Sequence, residues 1–438
     1  MLLHEGGPSI DNALIEKRIT ISGTSDLTAR SAERIMIQHE PAMGTGMVYF
    51  GMSSWDGMWK NRHQLMSRFA RHMPVLYVEP WRWLKKVRRE LLRGDFRSTS
   101  GSAPRCSLVA DNLHVFHSPA SLAVSGSGVL RNLTQNRWYA AIRKAARQIG
   151  IADPILWISR PEMIRAIGRM GERLSIYHIV DEYGGYTGQD EAMKQRLWEA
   201  ERELLDAVDM SIVVSPELLE VKSGPGRAVY LVENAVDVQQ YQERMRCAEA
   251  PEDIASIACP RLGYSGLIGK RLDLPMLLEL ASRNPGWSLV LIGKVDARDC
   301  QQELAALQSL DNVHFLGEKK HDAVADYVTS LDVGLLPYRI NLETRNISPL
   351  KMYEYLAAGL PVVSTRIPAA ERNARILHIA DDTAGFVGAC RIAMQDADDA
   401  VQQRIEFARA NTWDARVEQI WDLISARLGG GQWTAAAN

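Results

Sequence analysis

From Met47 onwards, short β-rich runs bounded by Gly, Pro, Asn or Asp alternate with stretches whose apolar residues recur every three or four positions. This is the pattern of repeated βα units, because parallel strands need a crossover helix and are covered on both faces. In the first half, strands are predicted at 47–52, 75–79, 113–117, 155–159, 174–180, 211–215 and 229–233, with helices near 61–71, 129–149, 161–170 and 190–207. The second half predicts strands at 261–265, 287–292, 313–316, 332–337, 361–365 and 376–380. Its helices fall near 273–283, 301–309, 322–330 and 349–358, and consecutive helices follow over 383–428. A polar stretch containing Glu249, Pro251, Glu252 and Asp253 predicts a linker near 240–258. The fold class is therefore α/β, with two doubly wound parallel-sheet domains in tandem over 46–245 and 246–412. Residues 1–45 lack periodicity and read as a poorly ordered leader, and 429–438 read as a loose tail after three glycines. Such sheets bind ligands at the carboxyl ends of their strands, so the cleft between the domains is the expected site.

The segment 346–361 is the most informative. Ser348 is a favourable N-cap and Pro349 fits the first helical position. Gly359 fits just beyond the helix end, and Pro361 blocks its continuation. Lys351 then falls at the third helical position, where a capping box would place Glu or Gln. A cation there opposes the helix dipole by roughly 0.3–1 kcal/mol. An anion seated at the helix start removes the conflict, since free N–H groups and an ammonium together make a phosphate site. Glu354 lies on the same face, placed to accept hydrogen bonds from sugar hydroxyls. The same spacing is also that of an exposed i,i+3 ion pair.

Composition narrows the picture. The chain has 438 residues, 46% of them hydrophobic and 24% charged, which excludes wholesale disorder. It has no apolar run long enough to span a bilayer, and its first residues lack the basic start and apolar stretch of a secretory signal. The cysteines, Cys106, Cys247, Cys259, Cys300 and Cys390, are scattered and read as reduced thiols. Residues 1–180 hold 25 Lys/Arg against 14 Asp/Glu, whereas 181–438 hold 26 against 39. The basic half implies an anionic partner, for which nucleic acid and an acidic membrane surface both qualify. Much of the excess lies in 80–93, where Trp81, Trp83, Lys85, Lys86, Arg88 and Arg89 mix with aliphatic residues. That mixture fits an amphipathic helix lying on an anionic bilayer, or a solvated helix with an inward apolar face. No nucleic-acid-binding module accompanies the charge.

The motif Ser-Pro-Leu-Lys-x-x-Glu-Tyr-x-Ala-x-Gly-x-Pro-Val-Val over 348–363 resembles the nucleotide-binding signature of GT-B glycosyltransferases. It is most similar to family-four-type bacterial enzymes of exopolysaccharide and teichuronic acid assembly, and in layout to the xanthan glucuronosyltransferase. Gly51 to Trp59 with Arg62 and Gln64, Val75 to Pro80, Tyr177 to Tyr183, Val213 to Leu219, Asn234 with Asp237, and Trp413-Asp414-x-Arg416 also match. The resemblance implies a GT-B fold whose first domain binds the acceptor and whose second binds the nucleotide sugar. It implies a closing helix, 413–428, that crosses back to the first domain. Lys351 would contact the diphosphate and Glu354 the ribose, at a helix start formed by Ser348 and Leu350. In the loop 263–271, Gly266 lets backbone approach the donor, and Lys270 or Arg271 neutralises phosphate. That loop also reads as a plain surface turn with solvated cations. Tyr338, at a strand end, either borders the donor or packs.

One departure stands out. Many retaining members carry a Glu where this chain has Asn346, which puts that mechanism in doubt. An inverting transfer needs a general base, for which Asp181 is the first candidate and Glu182 the second. Asp181 also reads as a helix cap or loop carboxylate. His178 reads as a core histidine. His114 and His117 are spaced like metal ligands but lack further partners, so neither a metal nor any other cofactor is expected. The donor would be a UDP-sugar and the acceptor a lipid-linked saccharide. The enzyme would act in the cytoplasm, peripheral on the inner face of the plasma membrane, with no nucleic-acid partner. A nucleotide-sugar epimerase of the same fold and a non-catalytic partner of a polysaccharide assembly complex are the rival readings.

Overall fold

The computed structural model describes residues 44–93, 105–126, 128–182, 191–247 and 249–429. The expected leader and tail lie outside these residues, apart from Gly44, Thr45 and Gly429. Two sheets lie within one compact unit. The first holds β1 (Thr45–Phe50), β2 (Val75–Val78), β3 (Arg105–Ala110), β4 (Leu113–His117), β5 (Asp153–Ile158), β6 (Leu174–Ile179), β7 (Met210–Val213) and β8 (Val229–Leu231). Their spatial order is β3-β4-β2-β1-β5-β6-β7-β8, parallel throughout except that β3 runs antiparallel to β4. The second sheet holds β9 (Arg261–Ser265), β10 (Ser288–Ile292), β11 (Val313–Gly317), β12 (Val333–Leu336), β13 (Val362–Thr365) and β14 (His378–Ala380). It is wholly parallel, in the order β11-β10-β9-β12-β13-β14.

The strands of the first sheet alternate between two cores. Val48, Phe50, Leu76, Val78, Leu156 and Ile158 face one, and Met47, Tyr49, Val75, Tyr77, Ile155 and Trp157 face the other. Both faces are dry, which is why these strands read as continuous apolar runs. Only β3 was not predicted. It lies on the sheet edge with Leu108 and Val109 exposed, so its burial does not follow an apolar period.

Between the sheets the chain crosses twice. Val236 and Thr412 form a parallel bridge, with the Val236 N–H donating to the Asn411 carbonyl at 3.1 Å. Where a linker over 240–258 was expected, the structure has a helix, Val238–Cys247. Its Val238 and Tyr241 pack into the second core, so the change of domain falls near Val236 rather than after 245. Sequence periodicity missed this helix because most of its residues are charged or Gln. The last helix, Trp413–Arg427, places Trp413, Val417, Ile420, Trp421 and Ile424 in the same core as β1 and β5 of the first sheet. Arg68, itself buried, ties it down through Asp414 at 3.2 Å and reaches Asp237 at 2.9 Å.

His178 on β6 is a core residue, its ring edge-on to Trp157 at 5.5 Å. Burial lowers its pKa to about 4. The unfolded chain takes up the proton near pH 6.5 and the folded chain does not, so the stability held by the neutral ring is complete above pH 6.5. It falls as the pH drops towards 4, by up to about 3 kcal/mol. Thermal melts of the wild type between pH 7 and 4 are expected to show this loss, and His178→Gln to reduce it, the part held by buried His63 remaining.

Candidate active site

The helix Leu350–Ala357 begins in the cleft, and the first domain holds its entry. Asn234 donates its amide to the Ser348 carbonyl at 2.6 Å, and the Ser215 hydroxyl donates to the Asn346 carbonyl at 2.8 Å. Leu350 packs against the core of the first domain. The cap itself is Pro349, without a side-chain cap bond, so Ser348 is not the N-cap and Lys351 sits at the second helical position. The Ser348 hydroxyl hydrogen-bonds Tyr353 instead.

The Lys351 ammonium lies 2.8 Å from Glu354 Oε2, with the two side chains 22% and 15% exposed. This is the i,i+3 pair that the spacing allowed, but it is mostly buried in the cleft rather than spread on a surface. Tyr241 hydrogen-bonds Glu354 from the crossing helix, and its hydroxyl is raised well above its usual range by burial and by that carboxylate. His321, the first residue of the helix His321–Val328, lies within the electrostatic reach of Glu354, Lys351 and Asp237.

The loop after β1 reaches across to this cluster. Trp59 is stacked between His63 of its own domain (centroids 4.7 Å, 18°) and His321 of the other (4.7 Å, 10°). His63 Nδ1 accepts from the Lys60 N–H at 2.9 Å, and Nε2 lies 2.8 Å from the Trp55 carbonyl. Those partners require a neutral ring with the proton on Nε2. Burial, with Arg62 second, accordingly lowers its pKa to about 3. Arg62 is buried and donates to Ser53 Oγ at 2.7 Å, while Tyr77 donates to the Ser53 carbonyl at 2.7 Å. An added Cβ on Gly51 would meet the Tyr77 hydroxyl at 2.2 Å, so a side chain there would displace the ring that holds this loop.

In the loop after β9, Gly266 has φ +153° and Gly293 has φ +141°. A Cβ on Gly293 would lie 1.9 Å from the Gly266 carbonyl oxygen, so only glycine lets these two strand ends touch. Arg271 pairs with Glu343 and points its other nitrogen at Asp181, 3.8 Å away on the first domain. Lys270 pairs with Asp299 at 3.3 Å. Tyr338 is packed, within electrostatic reach of Arg271, Glu354 and Asp181. It is buried edge-on to Tyr264 at 6.4 Å and bonded to its hydroxyl, and burial pushes its own hydroxyl up to about 12.

Asp181 and Glu182 point in opposite directions. Asp181 faces Arg271 across the cleft. Glu182 turns into the first domain, where Lys222 Nζ lies 2.7 Å from it and 2.8 Å from Glu201. All three are buried, so Glu182 belongs to a structural ion cluster and is not placed as a base. The Asn346 amide donates back to the Leu342 carbonyl at 2.9 Å. His117 contacts Glu79 at 3.0 Å and Ser107 at 2.8 Å. Among the described residues no group of three or more His, Cys, Asp or Glu is placed to hold a metal.

Of the basic stretch, Trp81 is not available to a membrane. It is buried edge-on to Trp138 at 5.3 Å. Trp83 is 40% exposed, and Lys85, Lys86, Arg88 and Arg89 are exposed on the helix Leu84–Leu92.

Sequence reading missed Glu343, Tyr241 and His321 altogether, and it had no physical role for Trp59 or His63. None carries a local signal: each matters through a neighbour more than fifty residues away in sequence or through the stacking of loop rings.

Two mainly parallel sheets facing one another, with a lysine-led helix at the edge of one, define the GT-B architecture, and residues 272–396 match the family model described as glycosyl transferases group 1. A protein of Bacillus subtilis (strain 168) assigned to teichuronic acid biosynthesis as the glycosyltransferase TuaH is 30% identical over 202 residues, covering 44% of this chain and 49% of its own length. The match thus spans about half of that relative. HepE of Anabaena, solved in complex with UDP, superposes with a TM-score of 0.60 at 13% identity, over 88% of this chain and 100% of its own. Sucrose-phosphate synthase from Thermosynechococcus elongatus gives 0.62 at 15% identity, over 84% and 93%. At these identities the two solved structures establish the shared fold.

Glu343 is buried and held by Arg271, which is about one-third exposed. Arg271→Met is expected to leave that carboxylate unpaired and to cost about 1–3 kcal/mol. Arg271→Met with Glu343→Leu is expected to recover most of it. A double-mutant cycle read by urea unfolding checks this, and additive losses would show that the pair is not coupled.

Proposed function

We propose that the protein transfers a sugar from a UDP-sugar to a saccharide acceptor carried on a membrane lipid, in the assembly of a cell-surface or exported polysaccharide. It acts on the cytoplasmic face of the plasma membrane. The observation that carries the reading is the mostly buried Lys351–Glu354 pair at the start of a cleft helix. A lysine in a first helical turn is unfavourable unless negative charge joins it. Glu354 supplies part of that charge, and a diphosphate supplies more, bound by the helix N–H groups and the ammonium. Arg271, in the loop after β9, reaches Asp181 of the first domain and adds a second cation. The UDP complex of the similarly folded HepE supports the base, and TuaH supports the class of product.

In the reaction the bond between the anomeric carbon and the β-phosphate oxygen breaks, and the acceptor oxygen bonds that carbon. Lys351, Arg271 and the helix N-terminus hold the negative charge left on UDP, without a resident metal or cofactor. The acceptor proton passes to the Asp181 carboxylate, which faces the second domain.

Titration calorimetry with UDP, GDP, ADP and dTDP tests the donor site. UDP is expected to bind selectively, and Lys351→Ala to weaken it about tenfold to a hundredfold. Absence of binding by the folded protein would overturn the reading. Asp181→Asn is expected to bind UDP like the wild type and to lower transfer to a polyprenyl-linked acceptor by about 10²–10⁴-fold. Unchanged transfer would remove Asp181 from the chemistry. An altered free nucleotide sugar formed without acceptor would mark an epimerase instead.

A further inference from the structure

Two helices of the first domain present exposed apolar and strongly basic surface that no contact among the described residues accounts for. On the helix Leu84–Leu92, only Val87 is buried, while Leu91 and Leu92 are 45% and 79% exposed. The helix Gly128–Gln148 buries Trp138, Tyr139 and Ile142 in its middle, but its first two turns expose Val129 (76%), Leu130 (52%) and Leu133 (57%). A soluble helix places such residues inward, and here they project outward at i, i+1 and i+4, on one face.

The two helices are joined. Trp83 pairs with Val124 just ahead of the second helix, and the Arg131 guanidinium lies 5.9 Å from the centre of the Trp83 ring. Trp83, at the start of the first helix, therefore lies beside the exposed first turns of the second. The charge is equally one-sided. The first helix carries Lys85, Lys86, Arg88 and Arg89, and the second carries Arg131, Arg137, Arg143, Lys144 and Arg147. Against these stands one acid, Glu90, already paired with Arg82. No helix among the described residues is long and apolar enough to cross a membrane.

We propose that this face docks on an anionic lipid bilayer, with Trp83, Val129, Leu130 and Leu133 entering the interfacial layer and the cations meeting lipid phosphates. Charge complementarity selects the occupant, because exposed leucines ringed by Lys and Arg fit an acyl boundary under acidic headgroups. The new element is the start of Gly128–Gln148, which turns a single basic helix into a two-helix face. The inference deepens the reading of a membrane-borne acceptor and rests on it. UDP binding is measured on the same samples so that the two fail separately.

The full chain is sedimented with vesicles of phosphatidylcholine, with or without one-third phosphatidylglycerol. The wild type is expected to bind the anionic vesicles at least about tenfold more tightly than the neutral ones. Leu130→Ser with Leu133→Ser is expected to weaken anionic binding about tenfold or more while UDP affinity stays unchanged. Serine adds no charge, so that loss reports insertion alone. Binding of the double variant like the wild type would overturn the proposal, as would failure of the wild type to bind anionic vesicles. A wild-type dimer that the same substitutions dissociate would assign the face to a second copy instead.

Discussion

A helix that starts with a lysine has a charge of the wrong sign in its first turn, and the surrounding structure is arranged to hold it there. The helix Leu350–Ala357 receives neither a side-chain cap nor an acid in its first turn. Its opening residues are held from the other domain, by Asn234 and Ser215 bonding the carbonyls that precede it. Glu354 returns one negative charge to the ammonium, and Tyr241 fixes Glu354 from the crossing helix. The entry to this helix thus depends on both domains being in place.

The same dependence runs through the rest of the cleft. Trp59 is stacked between a histidine of each domain, and Arg271 is shared between Glu343 of its own domain and Asp181 of the other. These contacts are aromatic or ionic and few, which suits surfaces that must part to admit a ligand. The permanent joining is done elsewhere, by the double crossing at Val236 and Thr412 and by the closing helix. There the contacts are apolar or bury the Arg68 guanidinium, and they do not face the cleft.

The architecture was largely legible in the chain. Continuous apolar strands separated by helical segments give parallel sheets because both faces of each strand are covered, and among the described residues thirteen of the fourteen strands lie where that pattern put them. The exception, β3, is an edge strand whose residues are mostly exposed. The helix Val238–Cys247 was missed for a related reason: its polar surface hides the few residues, among them Tyr241, that anchor it. At the site, Lys351 and Glu354 were legible because a local rule, the helix dipole, is broken there. Glu182 was misjudged and Glu343 overlooked because the direction of a carboxylate at a strand or loop end is not a local property.

The sequence by itself therefore determined which segments become strands and helices, that they form two parallel-sheet units, and which helix start is electrostatically anomalous. These follow from period, capping and charge within a few residues. Only the tertiary structure decided that Asp181 faces Arg271 while its neighbour joins Lys222, that Trp81 is buried while Trp83 is exposed, and that Trp59 bridges two histidines. Each of those outcomes depends on what the partner element, far away in the chain, places opposite. Burial and pairing energies are set by that juxtaposition and not by the residue alone.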